Sequence, residues 1–149
     1  MTDKFFVDTN ILVYSRDASE PEKQVRALAW LKYLWESQNG RLSFQVLQEY
    51  YSTVTTKLRP GMAAPSARED VQALFAWKPI PVGAEVVKGA WFIQDRYNLS
   101  WWDALIVSAA QIGGCVYLLT EDLSDGQAIG SLQVLNPFRR SPELIGSQS

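Results

Sequence analysis

The sequence predicts an α/β fold: a small, mostly parallel sheet flanked by helices. Three observations carry that expectation. Lys4-Phe5-Phe6-Val7 and Cys115-Val116-Tyr117-Leu118-Leu119 are short apolar runs that stop at turn-forming polar residues, as buried strands do. The stretches between them carry apolar residues at helical spacing. The resulting order is strand, helices, strand, helices, strand, short helix, strand. Strands separated by helices imply parallel pairing, with helices on both faces.

The elements follow in chain order. The first strand ends at Asp8-Thr9-Asn10, and Ile11 to Tyr14 begins a short helix. Ser19-Glu20-Pro21 opens a longer one that runs to Ser37, with Pro21 in a first turn and Glu20 and Glu22 at the positive end of the helix dipole. Val25, Leu28, Leu31 and Trp35 recur along it and predict its buried face. Asn39-Gly40 stops it, and Arg41 to Phe44 reads as a short strand. Gln45 to Leu58 is helical, with Leu47, Tyr50, Tyr51, Val54 and Leu58 on one side, until Arg59-Pro60-Gly61 breaks it. Ser66 and Glu69 have capping-box spacing at the head of a helix to Trp77. The two prolines of Pro79-Ile80-Pro81-Val82 confine that segment to a connector or sheet edge. Glu85 to Tyr97 is a helix. Ser100 to Ile112 is another, apolar almost all round and therefore central. Gly113-Gly114 precedes the Cys115 strand. Ser124 to Gly130 is a short helical segment, and Leu132 to Leu135 is the last strand. The tail after Phe138, with Arg139 and Arg140, is polar and expected to fray.

Composition removes several chemistries. The chain has 149 residues and no histidine, which excludes Ser-His-Asp and Cys-His catalysis and an imidazole-based zinc site. Cys115 is alone, so it has neither a disulfide partner nor a structural zinc partner within the chain. No apolar run reaches about 18 residues, so no membrane span is expected. No secretory signal is expected either, which makes the cytoplasm the default location. The net charge of −2 argues weakly against nucleic acid as a partner. With several acids committed to cations, however, the remaining surface turns slightly basic.

Four acids stand out. Asp8 and Asp122 follow apolar strands, and open α/β sheets bind ligands beyond the carboxyl ends of their strands. Each also suits a helix cap. Glu49 borders an apolar helix stripe, where a glutamate ordinarily faces solvent. Asp103 lies three residues after Ser100, at capping-box spacing, yet its helix is otherwise apolar. An ionised carboxylate there needs a partner, and a cation would serve. Four converging carboxylates repel and raise one another's pKa, a penalty that divalent cations remove. All-oxygen ligation favours Mg²⁺ or Mn²⁺. Two such ions can activate a water and stabilise the leaving oxygen of a phosphodiester, a nuclease chemistry that needs no histidine.

Asp8-Thr9-Asn10-Ile11-Leu12-Val13-Tyr14, Glu49, Leu99-Ser100-Trp101-Trp102-Asp103-Ala104-Leu105-Ile106 and Leu119-Thr120-Glu121-Asp122-Leu123 together resemble the PIN-domain family. Within it the likeness is to the VapC-type toxin ribonucleases of toxin–antitoxin pairs, in matching order from Phe5 to Phe138. The resemblance implies a single PIN domain over residues 1–138 and a polar C-terminal tail over 139–149. It implies Mg²⁺- or Mn²⁺-dependent endoribonuclease activity, with 5′-phosphate and 3′-hydroxyl products. Asp8, Glu49 and Asp103 would be the principal metal ligands, and Asp122 a fourth catalytic acid acting through water or a second ion. Asn10 and Thr120 would orient ligands or waters from behind. It also implies a homodimer and a cognate antitoxin laid across the groove.

Arg16, Lys57, Arg59, Arg68 and Arg96 are candidates for holding an RNA backbone, Arg16 and Arg96 foremost, although surface bases are ordinarily just solvated. Trp101 and Trp102 would either stack on a base or pack in the core or a dimer. Two other readings remain open. One is a non-catalytic PIN-fold module that binds RNA or protein. The other is a phosphoryl-transfer domain with Asp8 as nucleophile, which a transient acyl-phosphate would reveal.

Overall fold

The computed structural model describes residues 3–143. Strand β1 (Phe5–Val7) is buried on both faces and lies inside the sheet. Helices α1 (Thr9–Tyr14) and α2 (Pro21–Ser37) follow, then β2 (Gly40–Arg41), α3 (Phe44–Thr56) and α4 (Ala64–Leu74). A single 3₁₀ turn, Phe75–Trp77, leads on to α5 (Ala84–Tyr97) and α6 (Trp101–Ile112). Strands β3 (Tyr117–Leu119), β4 (Ala128–Ile129) and β5 (Leu132–Leu135) complete the order. The sheet runs β2-β1-β3-β5-β4. Its first four strands are parallel, and β4 pairs antiparallel with β5. The expected α/β class and mostly parallel sheet are therefore present.

This order places the functional edge. From β1 the chain crosses to β2 on one side, while β3 pairs on the other. The gap between the carboxyl ends of β1 and β3 is a topological switch point, where open parallel sheets bind ligands. Val7 pairs with Leu119, so Asp8 and Thr120 leave the sheet side by side. The Asp8 N–H donates to the Leu119 carbonyl at 3.0 Å and fixes that juxtaposition.

The core is built on aromatic contacts under β1. Phe5 stacks on Tyr117 with ring centroids 4.9 Å apart, and Trp30 of α2 leans against Phe5 at 5.7 Å. Trp30 is fully buried, and its indole N–H donates to the carbonyls of Arg140 at 2.9 Å and Pro137 at 3.2 Å. The chain after Phe138, expected to fray, is thus anchored as far as Arg140. Asp125 adds an ion pair to the Arg140 guanidinium at 3.3 Å.

Several local expectations change. The buried face of α2 is Ala27, Trp30 and Leu34, whereas Val25, Leu28 and Trp35 are exposed. Both stripes have helical spacing, so periodicity alone did not choose between them. Trp30 wins because it fills the space against Phe5 and bonds the C-terminal segment. Helix α4 starts two residues before Ser66, with Pro65 in its first turn and no side-chain cap, so the Ser66–Glu69 capping box does not form. The segment Ser124–Gly130 is not helical: it turns and supplies β4, with Gly130 at φ +61°. The strand expected over Arg41–Phe44 is cut short because Ser43 caps α3, accepting the Val46 N–H at 3.4 Å.

Truncating Trp30 tests this core. Trp30→Ala removes a fully buried ring and both of its anchoring bonds. The expected loss is about 3–5 kcal/mol in a urea unfolding curve. Protection of the amides near Arg140 should fall in hydrogen exchange before the sheet opens.

Candidate active site

Five carboxylates, Asp8, Asp17, Glu49, Asp103 and Asp122, line a cleft of about 810 Å³, and all but Asp17 are ones the sequence singles out. Asp8 comes from the end of β1, Glu49 from the middle of α3, Asp103 from the first turn of α6 and Asp122 from the loop after β3. All four line the same cleft, so the structure brings together every acid that the sequence singled out.

Each acid arrives for a local reason. Asp8 caps α1, its Oδ1 accepting the Thr9 N–H at 2.7 Å. Ser100 caps α6 by accepting the Asp103 N–H at 3.2 Å. That bond uses the Asp103 backbone and leaves its carboxylate without a hydrogen-bond partner among the described residues. The capping and ligand readings of Asp8 and Asp103 are thus compatible. Glu49 sits one position before buried Tyr50, on the flank of α3 that faces α1.

Neutral donors hold the other three carboxylates. The Thr120 hydroxyl donates to Asp8 Oδ2 at 2.8 Å and accepts the Asp122 N–H at 3.1 Å. The Thr9 hydroxyl donates to Glu49 Oε1 at 2.7 Å, and Gln45 Nε2 reaches Glu49 Oε2 at 3.4 Å. Asn10 Nδ2 donates to Asp122 Oδ2 at 2.9 Å. That leaves Asn10 Oδ1 buried with no partner. Asn10 and Thr120 thus bond Asp122 and Asp8 respectively. Thr9 and Gln45 do the same work and were missed. Thr9 was hidden between two polar neighbours, and only the packing of α1 on α3 shows that it meets Glu49.

Electrostatics link the set. Burial pushes the Asp8 carboxyl up to about 7, its bonds to Thr120 and Thr9 pull it back, and the charges of Asp122 and Glu49 raise it further. Burial also raises Asp122; the Asn10 bond opposes this, while the charges of Asp103 and Glu121 add to it. The side chains nevertheless keep apart. Among the described residues no three carboxylates come close enough together to grip a metal ion.

A PIN domain family model matches residues 5–124. The chain belongs to the PIN domain family. As a PIN domain it is similar to a toxin–antitoxin complex from Klebsiella pneumoniae, at 19% identity and a TM-score of 0.63, covering 90% of this chain and 98% of that one. It is also similar to VapC20 of Mycobacterium tuberculosis, a sarcin–ricin-loop-cleaving toxin, at 20% identity and a TM-score of 0.58, with 80% and 90% covered. A third likeness is to VapBC2 from Rickettsia felis bound to a DNA fragment from its promoter, at 18% identity and a TM-score of 0.58, with 87% and 96% covered. No curated protein matches the chain. Among the described residues no helix of this PIN domain is long and apolar enough to cross a membrane.

The basic residues fall differently from expectation. Arg16 does not line the cleft; Asp70 of α4 captures its guanidinium through two bonds, of 2.7 and 3.0 Å. Arg96 lies at the exposed end of α5 beside the Tyr97 ring, also outside the cleft. Arg68 covers Tyr51, and Arg59 bonds the last carbonyls of its own helix region. Of the five candidates only Lys57 lines the cleft. The two adjacent tryptophans also part company: Trp101 packs against the core, while Trp102 is 62% exposed at the cleft wall.

Asp8 gives the fold a pH dependence. The folded state holds its proton more tightly than the unfolded chain, so stability falls as pH climbs from about 4 to about 7. The penalty above that window is on the order of 4 kcal/mol. Asp8→Asn keeps the shape, and the Thr120 hydroxyl can turn to accept from the new amide. In the presence of a chelator the variant should be more stable than the natural chain at pH 8, by about 2–4 kcal/mol. The difference should vanish near pH 4. Urea curves at the two pH values check this.

Proposed function

We propose that this PIN domain is a divalent-metal-dependent endoribonuclease and the toxin of a toxin–antitoxin pair, acting in the cytoplasm. The observation that carries the reading is the meeting of Asp8, Glu49, Asp103 and Asp122 in one cleft at the switch point of the sheet. The assemblies with a similar fold support it: they include a toxin–antitoxin complex and a toxin that cleaves the sarcin–ricin loop.

The donor set fits a hard cation. It offers carboxylate oxygens and no nitrogen or sulfur ligand, and the partnerless Asn10 Oδ1 adds a neutral oxygen beside them. Asp8, Glu49 and Asp103 would hold Mg²⁺ or Mn²⁺, with Asp122 completing the site. When bound, such an ion supplies charge stabilisation at the phosphodiester and a more acidic water. The protein's own share is positioning. Thr120 and Thr9 fix the Asp8 and Glu49 carboxylates, Asn10 fixes Asp122, and Lys57 offers a positive charge to the RNA backbone. A homodimer would place two such clefts in one particle, and an antitoxin segment across the cleft would close it.

Cleavage of total RNA in Mg²⁺ or Mn²⁺, read by sequencing the new ends, tests the proposal. Asp8→Asn and Asp103→Asn should each lose more than about a hundredfold in rate with the fold intact. Thr120→Val, which keeps every carboxylate but frees Asp8, should lose about tenfold to a hundredfold. Full activity in both aspartate variants would refute the assignment. Co-expression with the product of an adjacent small reading frame should restore growth if that product is the antitoxin.

One observation favours a second reading, a non-catalytic binding module: no three of the described carboxylates stand at metal-gripping distance. Calorimetric titration separates the two. A Mn²⁺ binding isotherm that Asp8→Asn abolishes supports the enzyme, and silence at millimolar ion supports the module.

A further inference from the structure

Helix α3 forms one long wall of the carboxylate cleft. Gln45, Gln48, Glu49, Ser52, Thr53 and Lys57 all line it. Their spacing of three and four residues sets them in one stripe along the helix. Glu49 is the only acid in that stripe. Beyond it, toward the C-terminus, every side chain of the stripe can donate. The Ser52 and Thr53 hydroxyls come one turn on, and the Lys57 ammonium follows at the C-cap, another turn on.

These three donors are uncommitted. Thr55 and Thr56, which do not line the cleft, turn their hydroxyls back onto their own helix, donating to the Tyr51 carbonyl at 2.7 Å and the Ser52 carbonyl at 2.5 Å. The hydroxyls of Ser52 and Thr53 make no such bond, and Lys57 forms no ion pair, among the described residues. All three side chains are open to a ligand: Ser52 and Lys57 are exposed, and Thr53 is half-buried. Apart from the four acids, the cleft's remaining carboxylate is Asp17, and it already accepts the Ser19 N–H and hydroxyl.

The spacing suits a polyanion. At about 1.5 Å per residue the stripe from Glu49 to Lys57 spans about 12 Å. Successive phosphates of a strand advance by at least about 3.4 Å, so the stripe has room for at most about three linkages beyond the one at the acids. It supplies two stations, a hydroxyl pair and an ammonium, and both are phosphate-binding groups.

We infer that this stripe is a phosphate track: on one side of the cleaved bond, Ser52 and Thr53 hold the first phosphate beyond the acids and Lys57 holds the second. The inference rests on the ribonuclease reading for what lies at the acids. It sets a minimum substrate, a strand with three consecutive phosphodiesters, and the track itself reads neither base nor sugar.

Mixed-sequence oligonucleotides with hydroxyl ends and one, two, three or four linkages test the track. They compete against a labelled three-linkage oligonucleotide, followed by fluorescence anisotropy with Ca²⁺ in place of Mg²⁺ or Mn²⁺. Affinity should climb about tenfold with the second linkage and again with the third, then level off. DNA and RNA should show the same increments. Ser52→Ala combined with Thr53→Val should remove the second-linkage gain and keep the third. Lys57→Met should do the opposite, and Lys57→Arg should retain both. With the three-linkage strand, Lys57→Met should also lower the slope of log affinity against log salt by about 0.7, and the hydroxyl variant should leave that slope unchanged. Gains that survive in both variants would overturn the track. So would a Lys57→Met loss of equal size at every length, because the lysine would then act as diffuse charge. The ribonuclease reading fails separately: the length series without any cleavage in Mn²⁺ would sink the enzyme and keep the track, and cleavage without length dependence would do the reverse.

Discussion

The structure depends on a concentration of negative charge at one sheet edge, where none of the four acids forms an ion pair among the described residues. Asp8 is the centre of that constraint. It is buried where β1 ends, its backbone is tied to β3, and two other carboxylates raise its proton affinity. Thr9 and Thr120 make the position tolerable by donating to it or to its neighbour Glu49. Thr120 is the tightest link, since one hydroxyl serves Asp8 and the Asp122 backbone together. Two strands, one helix start and one loop are therefore registered on a single oxygen.

Sheet topology explains why these residues meet. Parallel strands put all their carboxyl ends on one side, and the reversal of strand order between β1 and β3 opens a gap there. Asp8 and Asp122 reach the gap because they follow those two strands. Asp103 reaches it from the first turn of α6, whose central stretch Ala104 to Ala110 is buried and which leads into β3, and Glu49 from α3, which packs on α1. Strand ends, helix starts and an apolar helix all leave local marks in a sequence, so the acids were legible there. Their supporting donors were only partly so. Asn10 and Thr120 adjoin the strand-end acids, but Thr9 and Gln45 act on a residue some forty positions away or one helical turn along.

What the sequence could not decide was direction. Helix α2 has two apolar stripes, and only the fit of Trp30 against Phe5 and the C-terminal carbonyls selects one. The segment after β3 is too short and polar for either period to register, and it turns out to supply an antiparallel edge strand. The arginines failed for a related reason. Arg16 is near the acids in sequence, but Asp70 arrives from α4 and takes its fork in a bidentate pair. Charge in a sequence shows what a side chain can bind, and topology decides which partner reaches it first.

The distribution of ion pairs carries the functional argument one step further. The three salt bridges among the described residues join Arg16 to Asp70, Lys23 to Glu121 and Arg140 to Asp125. None involves Asp8, Glu49, Asp103 or Asp122. Glu121 is the informative neighbour. It adjoins Asp122 and its charge is felt there, yet Lys23 pairs with it and Tyr14 donates to it, relief that Asp122 itself does not receive. An arrangement serving stability alone would give the same relief to the cleft acids, because a buried carboxylate with no opposite charge is costly. Here cations settle the peripheral acids, neutral amides and hydroxyls hold Asp8, Glu49 and Asp122, and the Asp103 carboxylate has no partner among the described residues. Neutral donors fix a carboxylate in place without cancelling its charge, so the four acids keep their attraction for a ligand that brings positive charge with it.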